Sequence, residues 1–161
     1  MIDSETLHHA LRAWASGVTV VAAQSRGVRH GMTVNSFTSV ALDPPLVLVC
    51  IEKNVRTLNL ILESGLFAVS VLRADQGPWS DRFAGRDAEN SNRFDDVPTH
   101  TAITGAPIIA DALAYFDCVV ESTHNGGNHT ILLARVVAAH RAEGEPLLYW
   151  NRDYRSLKSE V

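Results

Sequence analysis

Short apolar and β-branched runs of strand length, set off by turn residues, dominate this chain, and only a few short segments change to helical spacing. Leu7, Ala10, Leu11 and Trp14 stand at i, i+3, i+4 and i+7 behind a capping Asp3 or Ser4, which predicts a first helix that Gly17 stops. GVTVVAAQ (17–24) is rich in β-branched residues and predicts a strand. SRGVRH (25–30) predicts a turn, and HGMTVNSFTSV (30–40) a second strand that pairs with the first as a hairpin. Asp43-Pro44-Pro45 breaks the chain there. LVLVCIE (46–52) is a continuous apolar run, expected as a strand buried on both faces. A short helix follows, with Asn54 as its cap and Gly65 as its stop.

LFAVSVL (66–72) is another strand. Residues 73–96 are polar, with Trp79, Phe83 and Phe94 as anchors, and predict one or two short helices and a loop. A segment this long outside the strands is often functional. TGAPIIADALAYFDCVVEST (104–123) supplies one or two strands, HNGGNH (124–129) a glycine-rich turn, and TILLARVVAAHRA (130–142) a long strand. The last residues give a turn, a short strand and a docking segment. Strands dominate and short turns join them, so the expected fold is mostly β: an antiparallel barrel with a few peripheral short helices.

Length and composition narrow the classes of function. The 161 residues fit one domain spanning 1–161, and 46% hydrophobic residues can fill a core without disulfides or metal. A formal charge of −4, with both signs mixed along the chain, makes no case for nucleic acid or an anionic membrane surface. A local site can still bind phosphate. Cys50 and Cys118 each sit in an apolar run without metal-ligand spacing, as in a reducing compartment. The N-terminus lacks the apolar stretch of a signal peptide, and no run approaches the roughly 20 apolar residues of a membrane span. These features predict a soluble cytoplasmic protein.

Four places could carry chemistry. Between Met32 and Val40 the strand collects Thr33, Asn35, Ser36, Thr38 and Ser39, small polar residues on both faces. They either face solvent or bind the polar edge of a planar heterocycle that lies close to the backbone. Asn54 to Thr57 opens the second helix, with Lys53 and Arg56 adding charge. That is either an ordinary capped helix or a phosphate cradle. Arg82-Phe83-Ala84-Gly85-Arg86, with Arg93-Phe94, is either a solvated helix over two buried rings or a grip for phosphate or a base. Gly126-Gly127-Asn128-His129 is a turn whose His is either structural or a ligand contact. GxSxG, HExxH and Walker motifs are absent, so a bound cofactor would carry any chemistry.

The runs ASGVTVV (15–21), HGMTVNSFTSVALDPPLVLVCIEKNVRT (30–57), SGLFAVSVL (64–72), FAGR (83–86), TGAPII (104–109) and GGNHTILLARV (126–136) occur here in one order. Together they closely resemble the short-chain flavin reductases, the reductase components of two-component flavin-dependent monooxygenases. The resemblance spans about residues 7 to 155.

It implies an FMN-binding split barrel, a homodimer, and reduction of FMN or FAD by NADH or NADPH, with reduced flavin passed to a monooxygenase. It places Thr33, Val34, Asn35 and Ser36, with Ser39 beyond them, at the isoalloxazine ring. Cys50, Ile51, Glu52, Lys53, Asn54 and Thr57 would supply further ring and phosphate contacts. Phe83, Ala84, Gly85 and Arg86 would hold the phosphate or ribityl tail. Asn128 and His129 would face the nicotinamide, which His129 orients, and no side chain acts as acid or base. The family often has Gly-Asp-His in that turn, where this chain has Asn128, and Ala or Ser where it has Asn35. Two alternatives remain: a flavoprotein that keeps its flavin and acts on a corrin or pyridoxamine phosphate, or a non-enzymatic flavin- or haem-binding module.

Overall fold

The structure is a computed structural model that describes residues 2–86 and 92–157. Its elements are α1 (Ser4–Leu11), β1 (Ser16–Gly17), β2 (Thr19–Ser25), β3 (Val28–Val34), β4 (Thr38–Ala41), β5 (Leu46–Glu52), α2 (Arg56–Ser64) and β6 (Leu66–Val71). After them come α3 (Gly77–Phe83), β7 (Thr99–His100), β8 (Ile108–Ile109), β9 (Ala114–Gly126), β10 (His129–Arg141), β11 (Leu148–Trp150) and β12 (Asp153–Arg155).

Seven strands form one antiparallel sheet in the order β3-β2-β6-β9-β10-β5-β4. Its outermost strands, β3 and β4, are consecutive in sequence and separated only by residues 35–37. Laid flat, seven strands would hold those edges about 29 Å apart. Four Cα steps reach no more than about 14 Å. The sheet therefore has to roll up, and this linker makes the barrel. Long β9 and β10 form its backbone, with register shifts at Leu133/Ala134 and Val136/Ala138 that bend the ladder.

Inside the roll, Val21, Val34, Val49, Ile51, Phe67 and Leu132 meet Leu58 and Ile61 of α2, which plugs the barrel. Outside it, Val18, Val20 and Ala22 pack under Leu72, Phe83, Phe94 and Leu147. β2 is thus covered on both faces. Gly31 lets the outer layer close: a Cβ there would lie 3.0 Å from Phe83 Cε1 and 3.2 Å from Phe94 Cζ. Those rings pack edge to face at 4.9 Å. Asp117 is fully buried and accepts from the Thr104 amide at 2.8 Å and from the Thr104 hydroxyl, which ties the 102–106 loop down. Beside it the Cys118 thiol is pushed up to about 12 by burial and by that carboxylate.

Several expectations need correcting. α1 is capped by Asp3, whose carboxylate accepts from the Thr6 amide at 2.8 Å, but it ends at Leu11; Gly17 lies in β1. The helix buries none of its residues, and Trp14 is 76% exposed, so the apolar stripe marks an uncovered face. The strand expected over 30–40 is two strands, because the chain leaves one sheet edge at Val34 and joins the other at Thr38.

β5 is not buried on both faces. Val47, Val49 and Ile51 are buried, while Leu46, Leu48 and Cys50 on the opposite face are only partly covered. Cys50 is therefore not a buried thiol. α2 stops at Gly65 as expected, but Val55 rather than Asn54 is its N-cap, because Asn54 takes a left-handed φ of 66°. Of the segment 73–96, α3 forms at Gly77–Phe83, and residues 87–91 lie outside the described residues. Among the described residues no helix is long and apolar enough to cross a membrane.

Candidate active site

A cleft of about 480 Å³ opens between β3, the start of α2 and the end of α3. Its volume is that of a small-molecule site. Thr33, Glu52, Thr57, Phe83 and Ala84 line it, joined by His30, Met32, Val55, Arg56 and Arg93. Each reaches the cleft for a local reason. β3 is a sheet edge, so residues of both its faces, His30 and Met32 on one and Thr33 on the other, border the cleft; α2 begins where β5 runs out, and the chain turns at Gly85 with a φ of 74°. A Cβ at Gly85 would come within 2.8 Å of Arg93 Nη2. Glycine there leaves Arg93 free to donate to Phe83 O at 2.9 Å and to Gly31 O at 3.0 Å.

The cleft is electropositive at one end. No side chain caps α2, and its start, Val55, Arg56 and Thr57, lines the cleft, so the partial positive charge of a helix N-terminus lies beside it. Arg93 is partly buried, which lowers its pKa. His30 Nδ1 lies 2.7 Å from the buried Thr57 Oγ1. Burial first, then Arg93 and Arg56, pulls the His30 imidazole down to about 4. At neutral pH the ring is uncharged and can donate or accept. One carboxylate, Glu52, lines this space beside two arginines.

A second space adjoins the first through Thr33 and Ala84 and is lined by Asn35, Ser80, Arg86, Tyr149 and Tyr154. Asp81 organises its wall. Its Oδ1 accepts from Tyr154 Oη at 2.8 Å and from Arg86 Nη1 at 3.0 Å. Arg86 also hydrogen-bonds Tyr149, the chief reason its pKa is raised. Burial, helped by Asp81, pushes the Tyr154 phenol up.

The two hydroxyls at the heart of the polar strand are engaged within the protein. Thr33 Oγ1 donates to Ser80 O at 2.6 Å. Ser36 Oγ donates to Cys50 O at 2.8 Å and accepts from the Cys50 amide at 3.1 Å. Val34 is buried in the barrel, and its carbonyl accepts from Thr19 Oγ1 at 2.7 Å.

Of the residues singled out in the sequence, Thr33, Glu52, Thr57, Phe83 and Ala84 meet in the first space, and Asn35 and Arg86 in the second. Val34, Ser36, Cys50, Ile51 and Gly85 stand behind the walls rather than on them. Ser39 is exposed on edge strand β4, and Asn54 is exposed in its turn. Asn128 and His129 stand at the tip of the β9–β10 hairpin, where His129 pairs with Glu52. His129 Nδ1 lies 2.8 Å from Asn128 Oδ1. Lys53 Nζ pins that tip, donating to Asn125 Oδ1 and to Gly127 O, each at 2.6 Å.

His30, Tyr149 and Tyr154 were not among the residues expected here. A signal for the tyrosines exists: two residues, Asn151-Arg152, join β11 to β12, so Tyr149 falls opposite Tyr154. His30 opens the polar stretch and meets Thr57 in the first turn of α2, 27 residues further on, a contact that only the tertiary fold provides.

A family model described as the flavin reductase like domain matches residues 11–158. The chain belongs to the flavin reductase-like family. It is 40% identical over 147 residues to the FMN reductase (NADH) SmoA of Agrobacterium fabrum, covering 91% of this chain and 82% of that protein. It is 33% identical over 160 residues to HsaB of Rhodococcus jostii, the reductase subunit of a flavin-dependent monooxygenase, covering 99% and 80%. Among solved structures, the Streptomyces globisporus NADH:FAD oxidoreductase SgcE6 in complex with NAD and FAD fragments superposes with a TM-score of 0.90 at 35% identity. That match covers all of this chain and 98% of the other. The architecture expected of this family, a mostly β antiparallel split barrel, is the one described above.

Proposed function

We infer that this protein is an NADH-dependent flavin reductase that supplies reduced FMN or FAD to a partner monooxygenase. The observation that carries the reading is the cleft between β3 and α2. It combines an uncapped helix start, Arg56, Arg93 and a neutral His30 with a wall of short side chains. That donor set fits a flavin: the arginines and the α2 amides suit its phosphate. Backbone groups freed by the Val34-to-Thr38 crossing suit the edge of its ring. When both partners are bound, the nicotinamide supplies a hydride and the flavin takes it up.

The protein's own part is alignment. Thr33 and Ser36 fix the ring wall through Ser80 and Cys50. Arg93, seated by Gly85, sets the depth of the phosphate end. His129, carried on the hairpin that Lys53 holds, orients the nicotinamide from the side of Glu52. No proton transfer from a side chain is needed, and placement of the reacting atoms lowers the barrier.

We also propose a homodimer. Leu46, Leu48 and Cys50 form the uncovered side of β5, next to Val40 and Leu42, the latter 94% exposed on the β4–β5 connection. Such a face on a rolled sheet suits a second copy. Light scattering at micromolar concentration should give twice the 17.6 kDa chain mass.

The activity is tested by NADH oxidation with riboflavin, FMN and FAD in turn. Turnover with at least one flavin is expected, with little flavin retained after gel filtration. No oxidation with any of the three would overturn the reading, and tightly retained flavin would favour a prosthetic group.

A further inference from the structure

The cleft between β3 and α2 holds a charge that an anionic ligand does not call for. Arg56 and Arg93 line it, and so does Glu52, the last residue of β5. A carboxylate beside a phosphate site costs affinity, because like charges repel.

The carboxylate is left without a partner. Among the described residues Glu52 makes no ion pair and its side chain makes no hydrogen bond, although two arginines border the same space. Arg93 is turned to the carbonyls of Gly31 and Phe83. Lys53, next in the chain, reaches away to Asn125 and Gly127 at the hairpin tip. His129 stands opposite Glu52 in the ladder, and its Nδ1 is engaged with Asn128. His30, the remaining titratable group lining the cleft, faces Thr57 and is uncharged at neutral pH.

Two guanidiniums against one carboxylate leave the lining with a single net positive charge. The start of α2 adds about half a charge. A phosphate monoester brings roughly −1.5 to −2 at pH 7. The cleft therefore attracts a flavin phosphate but falls short of neutralising it, and Glu52 is the whole of the shortfall.

We propose that Glu52 sets a ceiling on the affinity for phosphorylated flavin and so keeps the flavin exchangeable between turnovers. It touches no reacting atom and acts against the phosphate rather than for it. A reductase that hands reduced flavin to a second protein has to let it go. A fixed carboxylate weakens the hold without loosening the walls that align the ring. The inference rests on the flavin reductase reading and deepens it, by naming the residue that makes flavin a substrate of this site.

The test uses Glu52→Gln, which removes the charge and keeps the shape, with Glu52→Asp as the conservative partner. The side chain is exposed and unpartnered, so both variants should melt with the parent. FMN, riboflavin and inorganic phosphate are titrated into all three proteins by calorimetry. Glu52→Gln should bind FMN and inorganic phosphate about threefold to fivefold more tightly at low salt. Riboflavin, which lacks the phosphate, should stay within twofold. The gain should shrink between about 20 mM and about 500 mM sodium chloride, as screening removes the repulsion. Glu52→Asp should bind like the parent, and Glu52→Gln should retain more FMN after gel filtration.

Unchanged FMN affinity in Glu52→Gln would overturn the proposal. So would an equal gain for riboflavin, or a gain that ignores salt, since either would mean a change of shape rather than of charge. If the parent turns over no flavin, yet inorganic phosphate binds Glu52→Gln more tightly, the reductase reading fails and the charge role of Glu52 stands. If the parent turns over flavin and all three proteins bind FMN alike, only the role of Glu52 fails.

Discussion

Ser36 and Cys50 hold each other across a gap in the sheet: one hydroxyl donates to the Cys50 carbonyl at 2.8 Å and accepts from its amide at 3.1 Å. These are the two bonds a neighbouring strand would make. Ser36→Ala removes both and should lower stability by about 1–3 kcal/mol. The same change should raise KM for flavin, because Asn35 loses its anchor. Thermal melts and steady-state kinetics on one preparation check this, and an unchanged melting temperature would mean the hydroxyl is idle.

Gly31 offers a sharper structural test. A methyl group there meets Phe83 and Phe94 at 3.0–3.2 Å inside a filled layer. Gly31→Ala should destabilise by about 1–3 kcal/mol, as overpacking does. Gly17→Ala is the control, since a Cβ there meets nothing within 4 Å, and its urea midpoint should hardly move.

His30 predicts a pH dependence. In the unfolded chain it takes a proton near its ordinary 6.5, but in the folded protein only near 4. Its contribution to stability is full above about 6.5, falls as the pH drops towards 4, and levels off below. For a half-buried ring the loss is about 1–2 kcal/mol. His30→Gln should flatten urea-midpoint profiles over that window. A flavin phosphate seated between Arg56 and Arg93 should also raise the His30 pKa, which NMR titration with FMN reads directly.

Lys53 and His129 belong to one device. Lys53 Nζ holds the hairpin tip at Asn125 and Gly127, and His129 rides on that tip. His129→Ala should raise KM for NADH several-fold and leave KM for FMN almost unchanged. Lys53→Met should shift the NADH constant in the same direction by loosening the tip. An unaltered NADH constant in both variants would remove the hairpin from the nicotinamide site.

Local signals in the sequence were reliable where local chemistry decides. Asp3 caps α1, Gly65 stops α2, and Gly127-Asn128 closes the longest hairpin, each fixed by one or two residues. What failed depended on distant partners. Nothing near Asn54 indicates that it takes a left-handed turn and leaves α2 without a side-chain cap. The break at 35–37 is hidden because both halves have strand-like residues and only the sheet order separates them. The hydroxyls of Thr33 and Ser36 were legible as unusual. Their engagement by Ser80 and Cys50 was not, since those residues lie 47 and 14 positions away. Tyr149 and Tyr154 join the site from the far end of the chain, and only the fold brings them beside Asp81.

The three residues between Val34 and Thr38 act as a clasp, because they alone join one lip of the rolled sheet to the other along the chain. A circular permutant opened there would keep every strand yet lose the covalent reason for the curl. Permutants opened at other surface loops would retain it. On the proposed function, ring binding and barrel closure would share a single short span of backbone, and a ligand seated against it should also act as a second fastening.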